Sequence, residues 1–100
     1  MPDWSIYLLR CADGSVYTGI TTDVARRIDE HQSGDKGAKY LRGRGPLVLL
    51  YQRAVGSRSQ ASRLEHQVKK LAKAEKDDVR LLDELVERLL TGQVPRLSTE

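Results

Sequence analysis

The sequence predicts an α+β domain: a small, three-stranded, largely antiparallel sheet packed by about three helices, in the order β-β-α-β-α-α. Three observations carry this expectation. Two short apolar runs flank a turn signal at Ala12-Asp13-Gly14-Ser15, which places a hairpin near the start of the chain and argues against a doubly wound parallel sheet. Three later stretches repeat their apolar residues at helical spacing. Finally, 100 residues that are 39% hydrophobic and 31% charged suffice for one compact core and leave no room for a second domain.

Each element has its own signal. Trp4 to Cys11 carries apolar residues on both faces, as a strand buried on both sides does. Ser15 to Ile20 is the returning strand of the hairpin. Thr21-Thr22-Asp23 offers capping groups for a first helix that ends before Gly34. Asp35 to Pro46 holds three glycines and reads as a loop. Leu47 to Ala54 is the third strand. Ser57 and Gln60 fit a capping box for a second helix running to about Ala72. Val79, Leu82, Leu85, Val86 and Leu89 recur at helical spacing, giving a third helix stopped by Gly92. The domain is therefore expected over 1–92, with a loose tail over 93–100.

The net charge of +3 is mild but unevenly placed. Lys36, Lys39, Arg42 and Arg44 fall in one short stretch without an acid, and Lys69, Lys70, Lys73 and Lys76 form a second cluster. Clustered cations bind phosphate, although a mild excess alone is equally a solvated surface. The single cysteine, Cys11, excludes an internal disulfide and points to a reducing cytoplasm. No basic-then-apolar leader is visible, and no apolar run is long enough to span a membrane.

Two helices carry polar residues at the margin of their buried stripe. At about 100° per residue, Val24, Ile28 and His31 share the inward side of the first helix. Arg27 stands beside that stripe, and Arg26 points away. A marginal arginine needs an anion or a wet cleft, because burying an unpaired charge is costly; pairing with a nearby acid satisfies it equally well. In the second helix Leu64, Val68 and Leu71 face inward, and Glu65 sits on the row Ala61-Glu65-Val68-Ala72. A lone carboxylate there is a salt-bridge partner or a ligand for a hard cation such as Mg²⁺.

Of the four tyrosines, Tyr7 and Tyr17 lie one on each hairpin strand. A two-residue turn, Asp13-Gly14, would put them on opposite faces of the sheet. A three-residue loop, Ala12 to Gly14, with Gly14 left-handed, would put them on the same face with Leu9 opposite Tyr17. Both turns suit the sequence. The shared face is the expectation that chemistry would favour, with both hydroxyls in one cleft with Arg27 and His31.

Ser5-Ile6-Tyr7, followed by Tyr17-Thr18-Gly19, resembles the paired motifs that name the GIY-YIG nucleases. The longer pattern through Thr21, Asp23, Arg27 and His31 is similar to the same family, and Glu65 matches the position of its metal-binding glutamate. The resemblance covers roughly residues 4 to 76. The length is similar to that of the small stand-alone bacterial members. Three departures are visible: Ser5 replaces a glycine, Ile20 stands where some members place a lysine, and the chain has no asparagine.

The resemblance implies a metal-dependent endonuclease hydrolysing phosphodiester bonds in DNA, with structured or damaged DNA in repair or recombination as candidate substrates and RNA left open. Tyr7, Tyr17, Arg27 and His31 would be catalytic. Glu65 would hold one Mg²⁺ or Mn²⁺, and Lys36, Lys39, Arg42 and Arg44 would bind the nucleic-acid backbone. Arg27 and the metal would favour a phenolate, and His31 would accept or orient a tyrosine proton. The sequence does not choose between the tyrosines as base, with a slight lean to Tyr17. The alternative is a nucleic-acid-binding module that does not turn over, or one that depends on a protein partner supplying further DNA-binding surface.

Overall fold

A computed structural model describes residues 3–33, 46–71, 75–76 and 78–91. Three strands, β1 (Trp4–Arg10), β2 (Val16–Thr21) and β3 (Val48–Gly56), form one antiparallel sheet in the order β2-β1-β3. Helix α1 (Val24–Ser33) follows the hairpin, while α2 (Arg58–Lys69) and α3 (Val79–Thr91) follow β3. The fold is the α+β arrangement expected, in the order β-β-α-β-α-α.

The central strand explains the unbroken apolar run. Ile6, Tyr7, Leu8 and Leu9 are each at most 1% exposed, and alternation sends them to opposite faces. Ile6 and Leu8 join Tyr51 and Val55 of β3, Ala61, Leu64 and Val68 of α2, and Leu82 and Val86 of α3. Tyr7 and Leu9 join Cys11 and Leu47 on the other face, where Tyr17 and the α1 residues Val24 and Ile28 pack against them. The sheet is thus sandwiched, with α2 and α3 on one side and α1 on the other.

Local polar groups fix where the helices begin. The Asp23 carboxylate accepts from the Arg26 amide at 3.1 Å, and the Thr21 hydroxyl accepts from the Asp23 amide at 3.1 Å. Ser57 and Gln60 form the expected reciprocal capping box. Asp78 caps α3 through the Leu81 amide at 3.1 Å, a signal the apolar spacing alone did not supply.

Some boundaries shift. The third strand starts at Val48 rather than Leu47, because Leu47 turns into the core on the α1 side, and it continues to Gly56. Helix α2 closes at Lys69, short of Ala72. The Lys70 and Leu71 amides reach back to Gln67 and Val68 at 3.2 and 3.0 Å, the tighter spacing typical of a final turn. Ala72, Gly92 and the 93–100 tail lie outside the described residues.

Candidate active site

The hairpin loop sets the site. The Gly14 amide donates to the Cys11 carbonyl at 2.9 Å, and the Cys11 amide donates to the Ser15 carbonyl at 2.8 Å. Gly14 takes a φ of 88°, which glycine adopts without steric cost. Ala12, Asp13 and Gly14 therefore form the three-residue loop, and Asp13 braces it by accepting from the Ser15 amide and hydroxyl at 3.0 and 2.6 Å. The register pairs Leu9 with Tyr17 and Tyr7 with Gly19. Both tyrosines consequently face the same side, beneath α1.

Gly19 is required by this arrangement. A Cβ there would stand 2.5 Å from the Tyr7 hydroxyl oxygen and 2.6 Å from its ring carbon, far inside contact distance. The ring of Tyr7 thus crosses the place where a β2 side chain would be, and its hydroxyl lies 2.9 Å from His31 Nε2. The three rings make one cluster. Tyr7 and Tyr17 are 6.3 Å apart between centroids, Tyr7 and His31 6.1 Å, and Tyr17 and His31 5.5 Å in an edge contact.

Helix α1 separates its two arginines as the wheel predicts. The Arg26 side chain is 66% exposed and the Arg27 side chain 32%. Arg27 donates to Glu30 at 2.9 Å, and its charge also acts on the Tyr7 phenol. Glu30 was not singled out from the sequence, although its i+3 spacing from Arg27 was a usable signal. Glu65, on the opposite helical layer, also lies close enough for its charge to act on Tyr7. Its side chain is partly buried and pairs with exposed Lys69 at 3.2 Å.

Electrostatics sets where the protons of the Tyr7–His31 pair sit. Burial, then the Tyr17 phenol, pushes the Tyr7 hydroxyl well above the ordinary tyrosine range. Arg27 pulls it down, but the balance stays upward and Glu65 adds to it. Arg27 alone therefore does not draw off the Tyr7 proton, and the phenol is neutral at neutral pH. His31 moves below the usual histidine value because it is buried and faces Arg27, with Glu30 opposing, so it is a neutral imidazole. One proton serves the bond between them: the phenol donates to bare Nε2, or Nε2–H donates to the phenol oxygen.

Exposure divides the tyrosines. Tyr7 and His31 are 1% and 3% exposed and form a sealed pair, whereas Tyr17 is only partly buried. Ile20 packs with the α2 and α3 core, on the face opposite Tyr17. Lys36, Lys39, Arg42 and Arg44 lie outside the described residues. Tyr7, Tyr17, Arg27, His31 and Glu65 are thus brought into one neighbourhood.

A family model, the GIY-YIG catalytic domain, matches residues 3–78. The chain belongs to the GIY-YIG family. That family is one of nucleases, whose members act on nucleic acids and typically depend on a divalent metal. The chain is 50% identical over 101 residues to a UPF0213 protein of Citrobacter koseri, covering all of both. It is 53% identical over 79 residues to another from Cronobacter sakazakii, covering 79% of this chain and 82% of that one. A solution NMR structure of an E. faecalis protein, 31% identical, covers 100% of this chain and 96% of its own, with a TM-score of 0.55. Within the GIY-YIG frame the two name-giving tyrosines are Tyr7 and Tyr17, and Gly19 is the glycine of the second motif. No described helix is long and apolar enough to cross a membrane.

Proposed function

We propose that the protein is an endonuclease that hydrolyses phosphodiester bonds in DNA with one Mg²⁺ or Mn²⁺, and that branched or damaged DNA is its substrate. The observation that supports it is the clustering of Tyr7, Tyr17, Arg27 and His31 on one face of the sheet, which the three-residue loop permits. Among the described residues no group of three or more histidine, cysteine or acidic side chains gathers as a metal cage. The lone carboxylate of Glu65 fits a hard ion that keeps most of its waters and shares the substrate phosphate. Its ion pair with exposed Lys69 is weak and displaceable. When bound, the ion would stabilise the charge developing on the phosphate.

The protein's own groups divide the remaining work. The guanidinium of Arg27 has five N–H donors, enough to serve Glu30, Tyr7 and a nonbridging phosphate oxygen together. That oxygen gains charge in the transition state, where a positioned donor is most effective. Tyr17, the more accessible phenol, orients the attacking water. The sealed Tyr7–His31 pair holds the Tyr17 ring in place. Lys36, Lys39, Arg42 and Arg44 hold the backbone, contributing affinity without sequence information.

The alternative, a binding module without turnover, draws on two observations: Glu65 is already paired with Lys69, and Tyr7 is held as a neutral phenol. Cleavage assays with Mg²⁺ and Mn²⁺ on branched, flapped and plain DNA separate the readings. Cleavage by the intact protein that disappears in Glu65→Ala supports the nuclease. Binding with no cleavage of any substrate supports the module.

A further inference from the structure

A groove with a volume of about 1080 Å³ runs between α2 and the end of α3. Its wall carries Arg58, Arg63 and His66, with Ser62 and Gln67 as uncharged donors, and Leu89 and Leu90 on the α3 side. Among the described residues no aspartate or glutamate lines it. Arg63 has no carboxylate partner among the described residues, and Arg58 lies 5.4 Å over the ring of Trp4. That stack holds the guanidinium at the groove's margin without neutralising it.

The groove and the cleft share one helix. At about 100° per residue, Arg63 and Gln67 fall on the flank of α2 opposite Glu65. The exposed outer surface between the two flanks carries His66, Lys69 and Ser62. A chain leaving Glu65 can cross this surface and enter the groove.

We infer that the groove between α2 and α3 binds a single-stranded segment of the nucleic acid whose scissile phosphate sits at Glu65. Charge gives the ligand's sign, since a wall carrying Arg58 and Arg63, with several neutral donors and no acid among the described residues, suits a run of phosphates. The lining gives its form, because a duplex keeps its base faces stacked inside the helix whereas a single strand exposes them to a binding wall. The apolar floor from Leu89 and Leu90 suits the faces of bases, as single-strand sites combine cations with nonpolar stacking surfaces. The assignment rests on the nucleic-acid reading of the cleft but not on catalysis.

The test is fluorescence anisotropy with the full chain in EDTA, so that nothing is cut. The probes are a blunt DNA duplex and the same duplex with a single-stranded extension of about ten nucleotides, within the range of known single-strand sites. The extension should tighten binding. The Arg58→Gln/Arg63→Gln variant should lose that gain, by about fivefold for each lost phosphate contact at about 0.1 M salt, with blunt-duplex affinity unchanged. Arg63→Gln alone keeps the Trp4 stack intact and should lose part of the gain, which guards against a folding defect at Arg58. An extension that adds nothing, a gain that survives both variants, or an equal fall for both probes overturns the inference. If the gain behaves as expected while the protein cuts no substrate with metal, the groove stands and the nuclease reading falls.

Discussion

Gly19 has no side chain because the Tyr7 hydroxyl occupies the place where one would go. Gly19→Ala forces a Cβ to within 2.5 Å of that oxygen, so the ring must swing away from His31. The expected cost is about 1–3 kcal/mol, as for other overpacked sites, with near-ultraviolet dichroism reporting the displaced tyrosine and denaturant melts the stability. Arginine placement makes a second comparison. Arg27→Ala should lower cleavage by about 10²- to 10³-fold, whereas Arg26→Ala, which removes an exposed side chain, should change it little. Equal losses would mean that the helix acts only through its net charge. His31 gives a pH dependence whose sign follows from its lowered folded-state value. The unfolded histidine takes up a proton near its usual pKa of about 6.5, while the folded one resists until lower pH. Stability is therefore unaffected above that value and falls as pH drops from it toward the folded pKa. Urea melts at neutral pH and in mild acid should show this loss, and His31→Asn should reduce it; an identical pH slope in the variant would assign the loss to other groups.

At the scale of elements, the hydrophobic pattern was informative where only one face of an element is buried and silent where two are. Helices α1, α2 and α3 each bury one stripe, so their spacing placed them, and polar caps such as Ser57 and Gln60 marked the start of α2. Strand β1 is apolar from Ile6 to Leu9, so alternation could not say which way Tyr7 faces. The answer lay in loop length, which the residues Ala12 to Gly14 left open because Gly14 suits either turn. Contacts between distant elements were not legible at all. Tyr51 of β3 donates to Asp83 of α3 at 2.7 Å, and Arg53 pairs with Asp83 at 3.2 Å and with Glu87. This clasp ties the edge strand to the last helix across 32 residues of sequence. Tyr51→Phe keeps the buried ring but removes the bond. It should destabilise by about 1–2 kcal/mol, toward the low end for bonds to charged acceptors because Asp83 remains half exposed. At this chain length about 4–8 °C of melting temperature corresponds to each kcal/mol, so thermal denaturation resolves it. An unchanged midpoint would show that the clasp orders the helix without stabilising the fold.

Considered as a whole molecule, the proposed site draws on both layers around the sheet. The tyrosines, Arg27 and His31 belong to the α1 side, while Glu65 comes from α2, whose buried stripe packs on the other face. The proposed site therefore exists only when the entire sandwich is assembled, and Glu65, its proposed metal ligand, is held by a helix that the hairpin motifs do not touch in sequence. That separation allows Glu65 to be tested without disturbing the aromatic cluster. Glu65→Gln keeps the side chain's size and removes the charge that attracts a divalent ion, so cleavage should fall steeply while metal-free DNA binding holds. Lys69 supplies the opposing control. It pairs with Glu65 across one helical turn, and an exposed pair of this kind contributes under about 1 kcal/mol, so Lys69→Ala should leave the fold intact. Without that competing cation, Glu65 should take the ion more readily. The metal concentration giving half-maximal cleavage should then drop, with the maximal rate little changed. A titration of Mg²⁺ against rate in both variants checks the two directions together. Cleavage that persists in Glu65→Gln, or a half-maximal concentration that rises in Lys69→Ala, would remove Glu65 from the metal site and leave the carboxylate as the partner of Lys69 alone.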